Sequence, residues 1–303
     1  MPRLSASRLA SYRARTFHLT SRLRSARQAL SFVEARGFIF FWPIRGCDLP
    51  SLWVATAGDR PVPSQHDDPA HVTWRWKDEM LGRKLWHYAK LLRGRATLVS
   101  LKTLPYFYAL SERVADLDDY HLAYEAGGLS RAAVDVAEAL RRHGALDTVR
   151  LRRSAHLSSE AAKTRFDHAL VELQRGLWVV PIGVAEAGAW RYAFVYELLD
   201  RWHPKVAAQA RSIVRPAARA HLAGLYLRSV GATTRPTLAR LFGWRTAEAQ
   251  AALEAATEAG HALALGDGRW ATPGLWPGSA GAAPHTRKEA KRRRRGQKHG
   301  PRR

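Results

Sequence analysis

Between Ala26 and Arg36 the apolar residues Ala29, Phe32 and Val33 recur three and four positions apart. This spacing predicts an amphipathic helix, and Gly37 follows as the residue able to end it in a left-handed conformation. The unbroken run Phe38-Ile39-Phe40-Phe41-Trp42, stopped by Pro43, predicts a buried strand. Residues 58–72 are polar and turn-rich, with Gly58, Asp59, Pro61, Pro63, Asp67, Asp68 and Pro69, a loop long enough to be either functional or mobile. Helical spacing resumes near Thr73, Thr97-Leu98-Val99-Ser100-Leu101 reads as a short strand, and residues 102–112 read as a helix. An acidic linker over residues 116–125 then leads to Gly127-Gly128, the best candidate boundary in the chain.

The second half repeats one order of elements. Ser130 caps a helix with Ala133, Val136, Ala137 and Leu140 on one face and Gly144 at its end, and a short helix follows over residues 147–156. Ser158 caps a longer one that buries Ala162, Phe166, Ala169, Leu170 and Leu173, and two strands, residues 178–184 and 190–196, flank a short loop. After a linker at residues 201–212 the order returns. Leu222, Leu225 and Tyr226 mark a first helix, Leu238, Leu241 and Phe242 a second, and Thr246 caps a third that ends at Gly260. Residues 261–265 and 269–272 form a hairpin about Gly266-Asp267-Gly268. Three helices and a β-hairpin, twice in register, define two winged helix-turn-helix units.

The expected fold class is therefore α+β and mainly helical, with tandem winged helix-turn-helix domains. Residues 1–25 read as a basic flexible arm, 26–126 as an aromatic-rich N-terminal domain that is itself winged-helix-like, 127–205 and 210–275 as the two winged helices, and 276–303 as a disordered basic tail. Residues 38–108 hold twelve of the 29 aromatics, which gives the N-terminal domain an aromatic core or cleft.

Composition narrows the function. The lone Cys47 excludes an internal disulfide and any multi-cysteine metal site, and the scattered histidines pair at no ligand spacing, so neither metal nor cofactor is expected. No long apolar run suggests membrane insertion or export, and a cytoplasmic, nucleoid-associated protein is the expectation. The net charge of +23 points to a polyanion. Residues 285–303 carry ten Lys or Arg against one Glu, so +14 remains on the rest of the chain, an excess that makes nucleic acid the leading partner. Some of this charge follows from an Arg-, Ala- and Gly-rich composition of the kind a GC-rich coding sequence produces.

The third helix of a helix-turn-helix normally enters the major groove and should be polar or basic outside. Here the first unit presents Glu160, Thr164, Asp167 and His168 beside Lys163 and Arg165, and the second presents Glu248, Glu254 and Glu258. The cations that should meet phosphate stand mostly elsewhere, at Arg150, Arg152, Arg153, Arg191, Arg235, Arg240, Arg245 and Arg269, with Lys163 and Arg165 on the third helix itself. Such a distribution predicts duplex DNA held electrostatically, with strong salt dependence and little sequence preference.

Gly37-Phe38, Pro50-Ser51-Leu52-Trp53, Trp74-Arg75-Trp76-Lys77-Asp78 and Leu104-Pro105-Tyr106-Phe107-Tyr108, followed by the two repeated units, resemble the AlkZ-related proteins. These are a divergent branch of the AlkZ/YcaQ winged-helix DNA glycosylases. The resemblance spans roughly residues 26–272 and implies tandem winged helices around a concave basic channel, with excision of alkylated or crosslinked bases in the catalytic members. Those members carry Gln-x-Gln or Gln-x-Asp on the strand after the first amphipathic helix. By position Phe40 and Trp42 stand there in this chain, and neither can orient water.

Replacement chemistry is sought in one segment, where Trp74, Trp76, Lys77, Asp78 and Glu79 combine stacking surfaces, an amine and carboxylates. Lys77 would form a Schiff base, Asp78 or Glu79 would activate water, and Trp42, Trp74 and Trp76 would stack a flipped base, while His66 and Asp68 are a weak metal pair. Core tryptophans in a charged first helical turn explain the same pattern. A noncatalytic DNA-binding or regulatory protein, favoured if residues 76–79 are buried, and an RNA- or ribosome-binding protein are the rival functions.

Overall fold

The computed structural model describes residues 3–63, 68–114, 116–188 and 191–276. The expected basic tail beyond residue 276, and His66 and Asp67, lie outside them. Where a flexible arm is expected, Ala6–Thr16 forms a helix, α1, capped by Ser5. Burial of Tyr12 against Ala232, Ala271 and Leu275 supplies the reason, an anchor from the far end of the chain that local polarity does not announce.

The first repeating unit begins with α2 (Ala26–Arg36), which has the expected bounds because the Ser25 hydroxyl accepts the Gln28 amide and Gly37 ends the helix at φ 82°. A Cβ on Gly37 would lie 2.6 Å from the Leu225 side chain, so the turn needs glycine for both its dihedral and its close packing. The unit continues through β1 (Phe38–Phe40), α3 (Leu52–Ala57), α4 (Val72–Gly82), β2 (Trp86–Lys90) and β3 (Ala96–Ser100). The short α5 (Leu104–Tyr108) and α6 (Asp119–Glu125) connect it to the second unit: α7 (Arg131–His143), β4 (Leu146–Asp147), α8 (Thr148–Ser154), α9 (Lys163–Arg175), β5 (Val179–Ala185) and β6 (Ala193–Leu198). After α10 (Leu199–Trp202) and α11 (Val206–Ala210) comes the third: α12 (Arg215–Val230), β7 (Ala232–Thr234), α13 (Arg235–Phe242), α14 (Thr246–Glu258), β8 (Leu263–Ala264) and β9 (Arg269–Ala271).

Helix, strand, helix, helix, strand, strand thus occurs three times. Each unit closes an antiparallel three-stranded sheet in which its last strand lies between the other two. The fold is mixed α and β. Three expectations change in detail. Residues 102–112 hold only the five-residue α5, Ser159 rather than Ser158 caps the turn leading into α9, and Arg245 rather than Thr246 is the N-cap residue of α14, where Glu248 answers its backbone amide.

One apolar cluster joins the units: Phe38, Phe40 and Val99 of the first meet Leu177 and Val180 of the second and Leu222, Tyr226, Leu238 and Leu253 of the third. The stretch expected to be an acidic linker is anchored instead. Arg113 and Asp119, 2% and 1% exposed at their side chains, pair at 2.7 Å, Asp200 takes a second N–H of Arg113, and the Trp178 indole donates to Asp119 at 2.7 Å. Buried charges of opposite sign are tolerable only in such a fully bonded set.

Candidate nucleic-acid interface

α4 offers two faces from one sequence segment. Trp76 is 4% exposed and lies with Met80, Leu81 and Trp86 in the core of the first unit, so it cannot stack a base. Trp74 is half-buried on the other side, 6.0 Å from Trp42 between ring centres, and Trp42 in turn packs at 5.3 Å on the fully buried Trp53. Tyr192, 37% exposed and just before β6, closes the row at 6.0 Å from Trp74. Trp42, Trp74 and Tyr192 form a partly open aromatic ledge.

Beneath that ledge Lys77 is 1% exposed. Its ammonium donates to the Tyr192 hydroxyl at 2.8 Å, pairs with Asp78 at 2.9 Å, and sits 4.3 Å over the Phe194 ring, 4.9 Å over Trp74 and 5.3 Å over Tyr88. Burial holds its pKa below the ordinary lysine value, and the Asp78 charge opposes that shift. Burial, then Asp78, pushes the Tyr192 hydroxyl up, so it stays protonated and shares its hydrogen-bonding capacity between Lys77 and Asp78, whose Oδ1 lies 3.1 Å away. A charge so enclosed is stabilised by one carboxylate, one hydroxyl and several ring faces. It ties α4 to the β5–β6 hairpin rather than facing solvent.

The three expected catalytic groups therefore separate. The Lys77 amine is sealed and cannot reach a bound sugar in this arrangement. Glu79 is exposed and paired with Arg83 at 3.1 Å, away from the aromatic row. Asp78, 19% exposed at its side chain, is the carboxylate that remains partly open beside the ledge. Phe40 is fully buried in the core joining the units, which leaves no polar group at that point of β1. Asp68 holds Arg60 in a bidentate pair at 2.7 and 2.9 Å and caps the turn at Ala70, a structural role. Among the described residues no group of three or more His, Cys, Asp or Glu is placed to hold a metal ion, and no helix is long and apolar enough to cross a membrane.

The ten cations proposed to meet phosphate divide evenly. Arg150 pairs with Asp147 at 3.4 Å, Arg191 with Glu186, Arg245 with Glu248 at 3.2 Å and Arg269 with Asp267 at 2.6 Å. Such exposed pairs contribute little to stability and exchange readily for phosphate. Arg152 differs, because its guanidinium donates to the carbonyls of Leu157, Ser158 and Ser159 and lies over Phe166, which fixes the turn before α9. Arg153 on α8, Lys163 and Arg165 on α9, and Arg235 and Arg240 on α13 are exposed and have no ion pair among the described residues. The acids of α14 are partly neutralised, since Glu248 accepts from Arg219 at 2.6 Å.

Sequence reasoning missed Tyr192, which lies 114 residues from Asp78 and joins it only through the hairpin. It also missed a basic groove between α1 and α2. The acid-free run of seven arginines before Glu34 was the signal for that groove, and it reads equally well as an unstructured arm.

A family model described as AlkZ related matches residues 23–243. No curated protein matches the sequence. Among solved structures the chain is similar to the DNA glycosylase AlkZ of Streptomyces sahachiroi at 12% identity and a TM-score of 0.46; the match covers 80% of this chain, which spans 65% of that one.

Proposed function

The chain belongs to the AlkZ-related family, and from that premise we propose that it binds duplex DNA as three successive winged helices, reading backbone charge rather than base sequence. The observation that carries this reading is the set of exposed cations at Arg153, Lys163, Arg165, Arg235 and Arg240, which stand on second and third helices without counter-ions among the described residues. Phosphates supply the missing charge, and release of condensed counterions drives association. The acids along α14 argue against deep insertion of that helix into a groove, so contacts from α8, α13 and the N-terminal turns of α9 define the footprint. The test is affinity for several duplexes of equal length and unrelated sequence. Near-equal binding supports the reading, and a preference of about 10³-fold or more, the range of sequence-specific proteins, contradicts it.

A second reading, excision of a base extruded onto the ledge, is favoured by one observation: Asp78 keeps a partly open carboxylate beside Tyr192 of the ledge. In that reading Asp78 activates water and the tryptophans stack the base. Lys77 positions Asp78 and takes no covalent part. Release of an alkylated purine that stops with Asp78→Asn while DNA affinity persists supports it. Unchanged release in that variant, or borohydride trapping of an adduct lost with Lys77→Ala, contradicts it.

A further inference from the structure

The groove between α1 and α2 has a volume of about 540 Å³ and is lined by Arg15, Arg22, Arg27 and Arg36 together with His18, over a floor that includes Leu23 and Phe32. No Asp or Glu lines it. Asp48, outside the lining, is engaged by Arg13 of α1 at 2.9 Å, and Glu34 is exposed on α2, also outside the lining.

Two of the four guanidinium groups are fixed in place. Arg22 donates to the carbonyls of His18 and Val54 at 3.2 and 3.1 Å. Gly58 packs against it so closely that a Cβ there would lie 2.7 Å from its Nη2. Arg36 donates to the Arg228 carbonyl at 2.8 Å while Arg228 donates to Ala35 at 3.1 Å, a reciprocal exchange that locks the end of α2 to α12. Arg15 and Arg27 are exposed at the rim. The wall carrying Arg15 is itself rigid. Tyr12 donates to the Arg228 carbonyl at 2.8 Å and Arg13 to Val230 at 2.9 Å, and Gly231 lets Leu9 approach its Cβ position to 2.7 Å.

We infer that this groove is a phosphodiester-binding site that grips the backbone of the duplex DNA proposed above as the ligand. Four guanidinium groups converging on one hollow repel one another, and no acid offsets them, so an anion in the groove lowers the energy of the folded protein. Their planar forks match phosphate oxygens, and the apolar floor reduces solvent screening. A chain of phosphates fits better than a single small anion because the four groups are spread over two helices and the turn between them. The groove is also tied to the aromatic ledge: Arg22 bonds to Val54 in α3, next to Trp53, which packs on Trp42. α1, with Arg15, and Arg22 lie outside the segment matched by the family model, whereas Arg27 and Arg36 lie inside it.

The inference rests on the DNA-binding reading, and one titration separates the two. Binding of a fluorescent duplex by the full chain is measured over a range of salt for the wild type, for the double variant Arg15→Gln/Arg27→Gln, and for Arg131→Gln, whose side chain is paired with Asp135 at 2.9 Å and is not part of the groove lining. The double variant should bind all duplexes more weakly, and its log–log salt slope should be shallower by about 2, one for each lost phosphate contact. Its melting temperature should be unchanged, as both side chains are exposed. Wild-type and double-variant curves that coincide overturn the groove alone. No duplex binding by the wild type at low salt overturns the functional reading and the groove with it. Tighter binding of single-stranded RNA than of duplex, with the same loss in the variant, keeps the phosphodiester site and overturns duplex DNA as its occupant.

Discussion

Acid should weaken this fold through two histidines. His87 on β2 is fully buried, and neither ring nitrogen has a hydrogen-bond partner among the described residues; its ring lies 6.1 Å from that of His203. Burial, reinforced by the His203 charge, pushes the His87 pKa down from the ordinary 6.5 to about 3. Burial and then Lys84 push His203 down to about 4. Both folded values lie below the unfolded one, so the contribution is intact above pH 6.5 and is lost as pH falls through the window from 6.5 towards 3–4, where the unfolded chain takes up protons that the folded chain refuses. At pH 5, well below 6.5 and above both folded values, each histidine costs about 2 kcal/mol and the pair about 4 kcal/mol. That is a large part of the stability of an ordinary domain. The assay is urea denaturation at pH 7 and pH 5 for the wild type and for His87→Leu, which fills the same space without ring nitrogens. Carboxylate titration is common to both proteins, so the difference isolates the ring. The loss between the two pH values should be about 2 kcal/mol smaller in the variant, which should also be no less stable at pH 7, since two unsatisfied polar atoms are gone. Equal losses in the two proteins would refute the reasoning.

Asp119→Ala should cost about 3–5 kcal/mol, because it leaves the buried Arg113 short of a partner and removes the acceptor of the Trp178 indole; a urea midpoint close to wild type would show the network to be dispensable. The two tryptophans of α4 should respond differently to alanine. Trp76→Ala should lose about 3–5 kcal/mol of stability as a core residue, whereas Trp74→Ala should weaken single-strand binding by about 1–3 kcal/mol if the ledge stacks a base. Thermal melts and binding curves for both variants check this, and reversed effects would reassign the faces of the helix. Lys77→Met should leave duplex affinity unchanged in an anisotropy titration, since the ammonium it removes is enclosed; a steep loss of affinity would place that charge at the DNA.

How much of this was legible in the sequence depends on where the determinants lie. α2 was readable to its ends because its stripe and its terminal glycine are local, and α7 because its Ser130 cap, its stripe and Gly144 are local too; α14 was readable as a helix but not at its start, where Arg245 and not Thr246 is the N-cap. β4 and β7, two and three residues long, carry no period of their own and exist because β6 and β9 pair with them. β2 was hidden by His87, a polar residue at a fully buried position that breaks the apolar pattern. At the candidate site, the segment around Lys77 was visible as a coincidence of aromatic and charged residues. Its faces were not, because what buries Lys77 is Tyr192 and Phe194 from another unit. The basic character was plain from composition, whereas the division between free and paired arginines depends on distances that composition does not contain.

If backbone phosphates and not base edges hold the ligand, the salt dependence of duplex binding must show it. With the five unpaired cations of α8, α9 and α13 engaged, log affinity should fall against log salt with a slope of roughly −4.5 or steeper, the same for duplexes of unrelated sequence. A flat dependence on salt, or slopes that differ strongly between sequences, would contradict it.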